Sequence, residues 1–542
     1  MLPFPDNVHI RVFFSTKTIA PLLLRYISDR KDAYGRDVSI GLHGDGAEGS
    51  RKKVVVDFGS PNIGHESSMA HVRSTILGAF VANMYEAMGW EVVRTNYLGD
   101  WGKNVGLLEV GLDQYGVEGD IDNQANPLRY LTDIYSRIEE EFRPENENLK
   151  RLKEENKEEF LLAQSTGLSK RRDSLSKKME DRDGATIESW KKLRNISVGQ
   201  YEKTYSRMGI AFDDYGGESQ VCLRPETMTE VEVTLKNRGI SEEEDGSWVI
   251  DFEKHGERLH KPTLRDRTGL SSYLLRDIAT AFDRFDTHKA DKIIYVVTGD
   301  QDTHFRQVFK AIELMGRTDV REKLEHFSFA RVMPGAGTDF ENAKLLDDIL
   351  DACESYTGQA MEIDPESYQL ADGFVPPSVL GLAGLTVQEL SVRRTKPYAL
   401  EPDLMVSPEG ESGPALQLCY ARLGRTIASL GNMPAPGEMS GLNFAPLYDE
   451  PWINVLRLLS RYPDVTASAY RGMEAATTII PYVFRLVDEL TYSLDEVGDE
   501  EVGGSSASGP DYRSRVALLE CGRQVLENAM RILGVTPASW EG

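Results

Sequence analysis

Four side chains able to handle protons or anions recur at intervals of three in one short stretch: Asn62, His65, Ser68 and His71. Imidazoles titrate near neutrality, so His65 and His71 suit proton transfer or the neutralisation of a charged oxygen, and a serine hydroxyl such as Ser68 is a potential nucleophile. Those three are the catalytic candidates. Further along, Tyr273 and Asp277 stand at i and i+4, a spacing that puts both on one face of a helix. Gln301 closes a Gly-Asp-Gln turn behind a short apolar run. A carboxylate beside a phenol and an amide suits the planar, forked donor set of a guanidinium.

The surrounding pattern shows how such groups are positioned. Val54 to Phe58 reads as a buried strand. Ile76, Leu77, Phe80, Val81, Met84 and Met88 recur at helical spacing from about Val72 to Met88, and Glu91 to Asn96 reads as a second strand. This is a βαβ unit whose polar loop lies at the carboxyl end of its first strand. There the free N–H groups and dipole of the following helix favour an anion. Tyr273 to Arg284 reads as a helix and Lys292 to Thr298 as another buried strand, which sets Gln301 at a second strand's carboxyl end.

The segments SPNI, HVRSTILG, NYLGDWGKNVGLL, SYLLRDIATAFDR, KIIYVVTGDQD, LLDDIL and EGESGPALQLCYARL together resemble the arginyl-tRNA synthetases, as does RQVLENAMRILGVTP near the end. The resemblance runs from about residue 9 to 540. It implies an α/β class I synthetase-like Rossmann (HUP-type) catalytic domain with a parallel sheet and a helical insertion, followed by an α-helical anticodon-binding-like bundle. It also implies that Ser60, Asn62, Tyr273, Asp277 and Gln301 hold an arginyl group.

The same resemblance exposes three departures. The family's His-Ala-Gly-His signature is replaced by Ser68-Met69-Ala70-His71, and the lysine that many members carry three residues upstream is His65. The basic loop before LLDDIL reads Ala336-Gly337-Thr338-Asp339-Phe340-Glu341, with two acids where cations are expected. Forming an adenylate builds negative charge on phosphates, and one preorganised donor is worth about 10²–10³ in rate. An arginine pocket retained while ATP-handling cations are lost resembles the fungal arginine-containing cyclodipeptide synthases. The expectation is therefore condensation of arginyl-tRNA with a second aminoacyl-tRNA into a cyclo(Arg-Xaa) diketopiperazine for secondary metabolism. The alternatives are a divergent, ATP-dependent arginyl-tRNA synthetase and a non-catalytic regulator that binds tRNA or arginine.

Length and composition frame these readings. The 542 residues allow several domains: a shortened N-terminal additional domain (1–50), the catalytic domain (51–400) with its insertion at about 106–223, and the helical domain (401–542). A strand is expected at His9 to Phe14 and a helix at Ile19 to Ile27 in the first of these. The insertion carries runs such as EEEFRPENENLKRLKEENKEEFLL, read as solvated helix faces. DEVGDEEVGGSSASGPDY reads as a flexible loop.

A net charge of −25 argues against DNA, while local strips at Lys170, Arg171, Arg172, Lys177 and Lys178, and at Arg393, Arg394 and Lys396, leave room for tRNA. No apolar run spans a membrane and no secretory leader is evident. The four cysteines are scattered and form no CxxC pair, so a reducing compartment, the cytoplasm, without structural zinc is the plain reading; no cofactor-binding or metal residues are expected, and the oligomeric state is open, with a monomer favoured.

Overall fold

The computed structural model describes residues 15–44, 49–65, 69–117, 121–370, 373–430, 439–501 and 510–538. The strand expected at His9 to Phe14, and Ser68, lie outside them. The described chain forms two compact units, one made of 38–353 with 392–402, the other of 1–37, 354–391 and 403–542.

The first unit is built on four parallel strands: β1 (Lys53–Asp57), β2 (Glu91–Thr95), β3 (Lys292–Tyr295) and β4 (Leu324–His326), in the order β2-β1-β3-β4. Val54, Val55 and Val56 are fully buried, as a central parallel strand covered on both faces requires. Val55 pairs with Val93 on one side and Ile293 on the other. The helix Met69–Ala87 returns the chain from β1 to β2, starting earlier than its apolar spacing indicates, so that His71 lies in its first turn. Its Gly78 lies flat against β1's exit, where an added Cβ would stand 2.2 Å from Phe58. The helix Tyr273–His288 leads into β3, and the turn Gly299–Gln301 follows it. All four strands point the same way, so their loops gather at one edge.

The insertion is helical, comprising Lys103–Tyr115, Pro127–Glu155, Lys157–Gln164, Gly167–Glu180 and Gly184–Arg207. It rejoins the sheet where Asp214 and Gly217 bridge Thr95 and Leu98 in parallel. Of its basic strip, Arg171, Arg172 and Lys177 are ion-paired with Asp113, Asp173 and Asp181. Most of that strip's charge is therefore neutralised within the insertion. A small antiparallel sheet, Ser241–Glu244, Ser247–Ile250 and Thr263–Arg265, follows.

The second unit is a helical bundle of Thr16–Arg30, Pro377–Ser391, Gly413–Leu430, Trp452–Gly472, Ile479–Glu501 and Pro510–Leu533. The Tyr34 hydroxyl donates to Leu459 O at 2.8 Å, and Gly35, with φ +85°, gives way to the Tyr462 ring. The helix Ile479–Glu501 takes in the first acids of the stretch read as a loop, because no proline interrupts it there; 502–509 lie outside the described residues. Cys222, Cys353, Cys419 and Cys521 are all buried and free. Among the described residues, no helix is long and apolar enough to cross a membrane.

Candidate active site

The loop leaving β1 is bound to its surroundings by its own polar groups. Asp57, 4% exposed, accepts from Ser60 Oγ at 2.9 Å and pairs with Arg284 of the helix Tyr273–His288 at 2.7 Å. Burial alone would lower the Arg284 guanidinium; Asp57 outweighs it and holds the group above its ordinary range. Ser60 adopts φ +49°, and its N–H donates to Asn96 Oδ1 at 3.1 Å. Asn62 bridges Gly99, where any Cβ would collide with Asn62 Oδ1, and its carbonyl accepts from Tyr201 at 3.0 Å. His65 Nδ1 meets Ile63 O at 2.9 Å while its ring lies 3.6 Å from that of Tyr135. The carbonyl of His71 accepts from Thr75 Oγ1 at 2.7 Å, and its side chain is half-buried at the helix start.

A second set of groups gathers on the helix Tyr273–His288. Its first residue, Tyr273, is 52% exposed and lies 3.4 Å from Asn104 Nδ2 through its hydroxyl. One turn on, Asp277 Oδ2 meets His304 Nε2 at 2.6 Å. Burial alone would lower the His304 imidazole; the Asp277 carboxylate outweighs it and holds the ring above its usual value.

Neither His304 nor Glu218 stood out in the sequence. Glu218, 4% exposed, pairs with Arg276 at 3.1 Å. Burial pushes its carboxyl up to about 7, with Arg276 opposing and Asp277 and Asp100 adding to the rise. Asp100 fixes the turn that carries Glu218 by accepting from Ser219 N at 2.9 Å and Ser219 Oγ at 2.7 Å. The signal available was a carboxylate in a Gly-Gly-Glu-Ser turn, Gly216 to Ser219. Tyr97, hydrogen-bonded to Thr280 at 3.0 Å, faces the same acids. Gln301 is exposed at the end of its turn.

The structure thus unites Tyr273 and Asp277 with Glu218, Arg276 and His304. Ser60 and Asn62 stand at the carboxyl end of the neighbouring strand. Beside Tyr273 and Asn104, a cavity of about 340 Å³ opens in the insertion, lined by Lys103, Tyr135, Phe142, Arg143 and Arg172. The loop that departs from a basic sequence is exposed at Asp339 and Glu341 and anchored by buried Phe340. Next to it, Asp347 accepts from Gln200, Thr204 and Arg207, and Asp348 caps its helix through Lys344 N and Leu345 N.

A parallel sheet with a helical insertion, a polar loop feeding a helix after the first strand, and a separate helical bundle define a class I aminoacyl-tRNA synthetase architecture. The model for the catalytic domain of class I (R) tRNA synthetases matches residues 39–401, and that for the DALR anticodon-binding domain matches 416–539. The chain belongs to the arginyl-tRNA synthetase family.

It is 34% identical over 534 residues to a Schizosaccharomyces pombe protein named "Probable arginine–tRNA ligase, cytoplasmic", covering 98% of this chain and 83% of that one. The mitochondrial arginine–tRNA ligase of Saccharomyces cerevisiae is 34% identical over 500 residues, covering 92% and 73%. The Thermus thermophilus arginyl-tRNA synthetase structure shares the fold with a TM-score of 0.71 at 17% identity, covering 96% and 85%.

These matches overturn the expectation of a cyclodipeptide synthase serving secondary metabolism, and with it the second aminoacyl-tRNA. Relatives aligned along nearly the whole chain are arginine–tRNA ligases. Altered phosphate donors change the rate of one step; they do not supply a second aminoacyl site.

Proposed function

We propose that this chain is an ATP-dependent arginine–tRNA ligase with a weakened phosphate-handling loop. The observation that carries this reading is the Asp277 carboxylate, met by His304 and gathered with Tyr273 on the helix Tyr273–His288. A guanidinium stays charged at any physiological pH and presents coplanar N–H groups, so it needs fixed acceptors carrying negative charge. Asn62, in the loop after β1, suits the α-amino end of the amino acid, and the Gln301 amide, in the turn after β3, adds an acceptor for the guanidinium.

In the first step the arginine carboxylate attacks the α-phosphorus of ATP and pyrophosphate leaves. In the second, a ribose hydroxyl at the tRNA terminus attacks the acyl carbon and AMP leaves. His71, in the first turn of the helix after β1, supports charge on the phosphates together with that helix's N-terminal dipole. Ser68 and His65 take no bond-forming part in this scheme. Exposed Asp339 and Glu341 oppose pyrophosphate, so activation is slower than a basic loop would allow. Relatives are named for both cytoplasm and mitochondrion, so they assign no compartment to this chain.

The test is arginine-dependent ATP–pyrophosphate exchange together with arginine transfer to tRNA, each with the purified chain. Esterified tRNA that needs both ATP and arginine supports the proposal; tRNA left uncharged at high enzyme concentration overturns it.

A further inference from the structure

Resting on the arginine-binding reading above, we propose that His304 is a positioning residue that aims the Asp277 carboxylate and, by its proton, sets whether that carboxylate is open to a guanidinium. The geometry is specific. His304 lies on the helix Asp302–Leu314, directly after the Gly299–Gln301 turn, and its Nε2 meets Asp277 Oδ2 at 2.6 Å with both side chains mostly covered. A carboxylate held through one oxygen keeps the other oxygen, and a lone pair on the first, for a forked donor.

The charges facing this pair come from every neighbouring element. Glu218, from the helix Glu218–Leu223, is matched by Arg276 at 3.1 Å. His326 on β4 is separated from His304 by Phe305, whose ring stacks on it at 4.5 Å. Its Nδ1 faces Asp302 at 3.1 Å and its Nε2 meets Val297 O at 3.1 Å. Burial lowers the His326 imidazole, with Val297 O and Asp302 opposing and Arg394 and His304 adding to the fall. Asp277 is therefore the carboxylate whose compensation depends on the His304 proton.

With His304 protonated, Asp277 is already neutralised, and an arriving guanidinium must displace that proton. With His304 neutral, the imidazole still donates one N–H to Asp277, and the carboxylate's charge is available. Arginine binding then releases a proton. Affinity rises with pH up to the His304 titration, by at most about tenfold per unit, and levels off above it.

Calorimetric binding of free L-arginine, without ATP or tRNA, at pH 6, 7 and 8 tests this. In His304→Gln a donor remains but cannot titrate. Binding at pH 8 should stay within about threefold of wild type while the pH slope flattens to what Glu218 alone supplies. His304→Ala should bind about tenfold more weakly at pH 8. An unchanged slope in the Gln variant, or wild-type affinity in the Ala variant, overturns the inference. Should either variant misfold, the NMR titration of the wild-type His304 ring replaces it: saturating arginine must move that titration to lower pH, and an unmoved titration is equally fatal. Wild-type protein that binds no arginine at any pH instead sinks the arginine-binding reading itself.

Discussion

Asp57 and Arg284 lie 2.7 Å apart in the interior, one ending the central strand and the other on the helix that carries Tyr273 and Asp277. The second Asp57 oxygen accepts from Ser60 at 2.9 Å. One buried carboxylate therefore fixes the β1 loop relative to the helix with the arginine-binding candidates.

Removing one partner of a buried pair leaves the other charged and uncompensated. Arg284→Ala should lower stability by about 3–5 kcal/mol, read from urea unfolding followed by circular dichroism. Asp57→Asn keeps an acceptor oxygen for Arg284, while its NH2 can donate to the Ser60 hydroxyl, and should cost less. Equal, small losses would show that solvent reaches the pair.

Asp277→Asn removes the charge on the guanidinium acceptor while keeping its shape. The KM for arginine in the exchange reaction should rise roughly 10- to 100-fold, the loss of one charge-assisted hydrogen bond, with kcat changed much less. A fall confined to kcat would place Asp277 at the reacting atoms instead.

His71→Ala should slow arginine-dependent exchange by about 10²-fold and leave calorimetric arginine affinity unaltered. In the opposite direction, Asp339→Lys should speed exchange several-fold. Slower exchange in that variant would mean that the acidic loop does not approach the phosphates.

Glu218 gives a pH signature. Its carboxyl is pushed up to about 7 in the folded chain, above its ordinary 4.5. The folded state then holds this proton more tightly than the unfolded one, so the contribution is full below about 4.5 and is lost as pH rises through about 7. Between pH 5 and 8 the wild-type Tm should fall more steeply than that of Glu218→Gln. Parallel Tm profiles would refute this origin.

Gly78→Ala places a Cβ 2.2 Å from Phe58 and should force the helix Met69–Ala87 off the sheet. Overpacking of this kind costs about 1–3 kcal/mol, measurable by thermal unfolding, and should weaken arginine binding through the displaced β1 loop.

The parts of the site readable in the sequence are those with local periodicity. The apolar run of β1, the helix after it and the i, i+4 spacing of Tyr273 and Asp277 all express themselves within a turn or a strand. His304 and Glu218 were not readable, because their partners lie on other elements: Asp277 is 27 residues from His304, and Arg276 is 58 from Glu218. Nothing in a single sequence pairs them. The ion pairing of the insertion's basic strip was hidden for a related reason, since Asp113, which binds Arg171, lies on another helix 58 residues away. The altered signature at Ser68 to His71 bears on phosphate handling alone, whereas the family membership is carried by residues along the whole chain.

Arg73 has no part in the chemistry proposed above, yet its guanidinium is fully buried and donates to the carbonyls of Ala330, Arg393 and Lys396 at 3.1–3.2 Å. The stretch after β4 and the segment 392–402 are distant in sequence, and Ala330 N donates to Arg394 O at 2.7 Å as well. Both stretches are thus tied to the first turns of one helix. The exposed cations Arg393 and Lys396 therefore belong to a segment whose backbone is tied, through one arginine side chain, to the helix that carries His71 in its first turn.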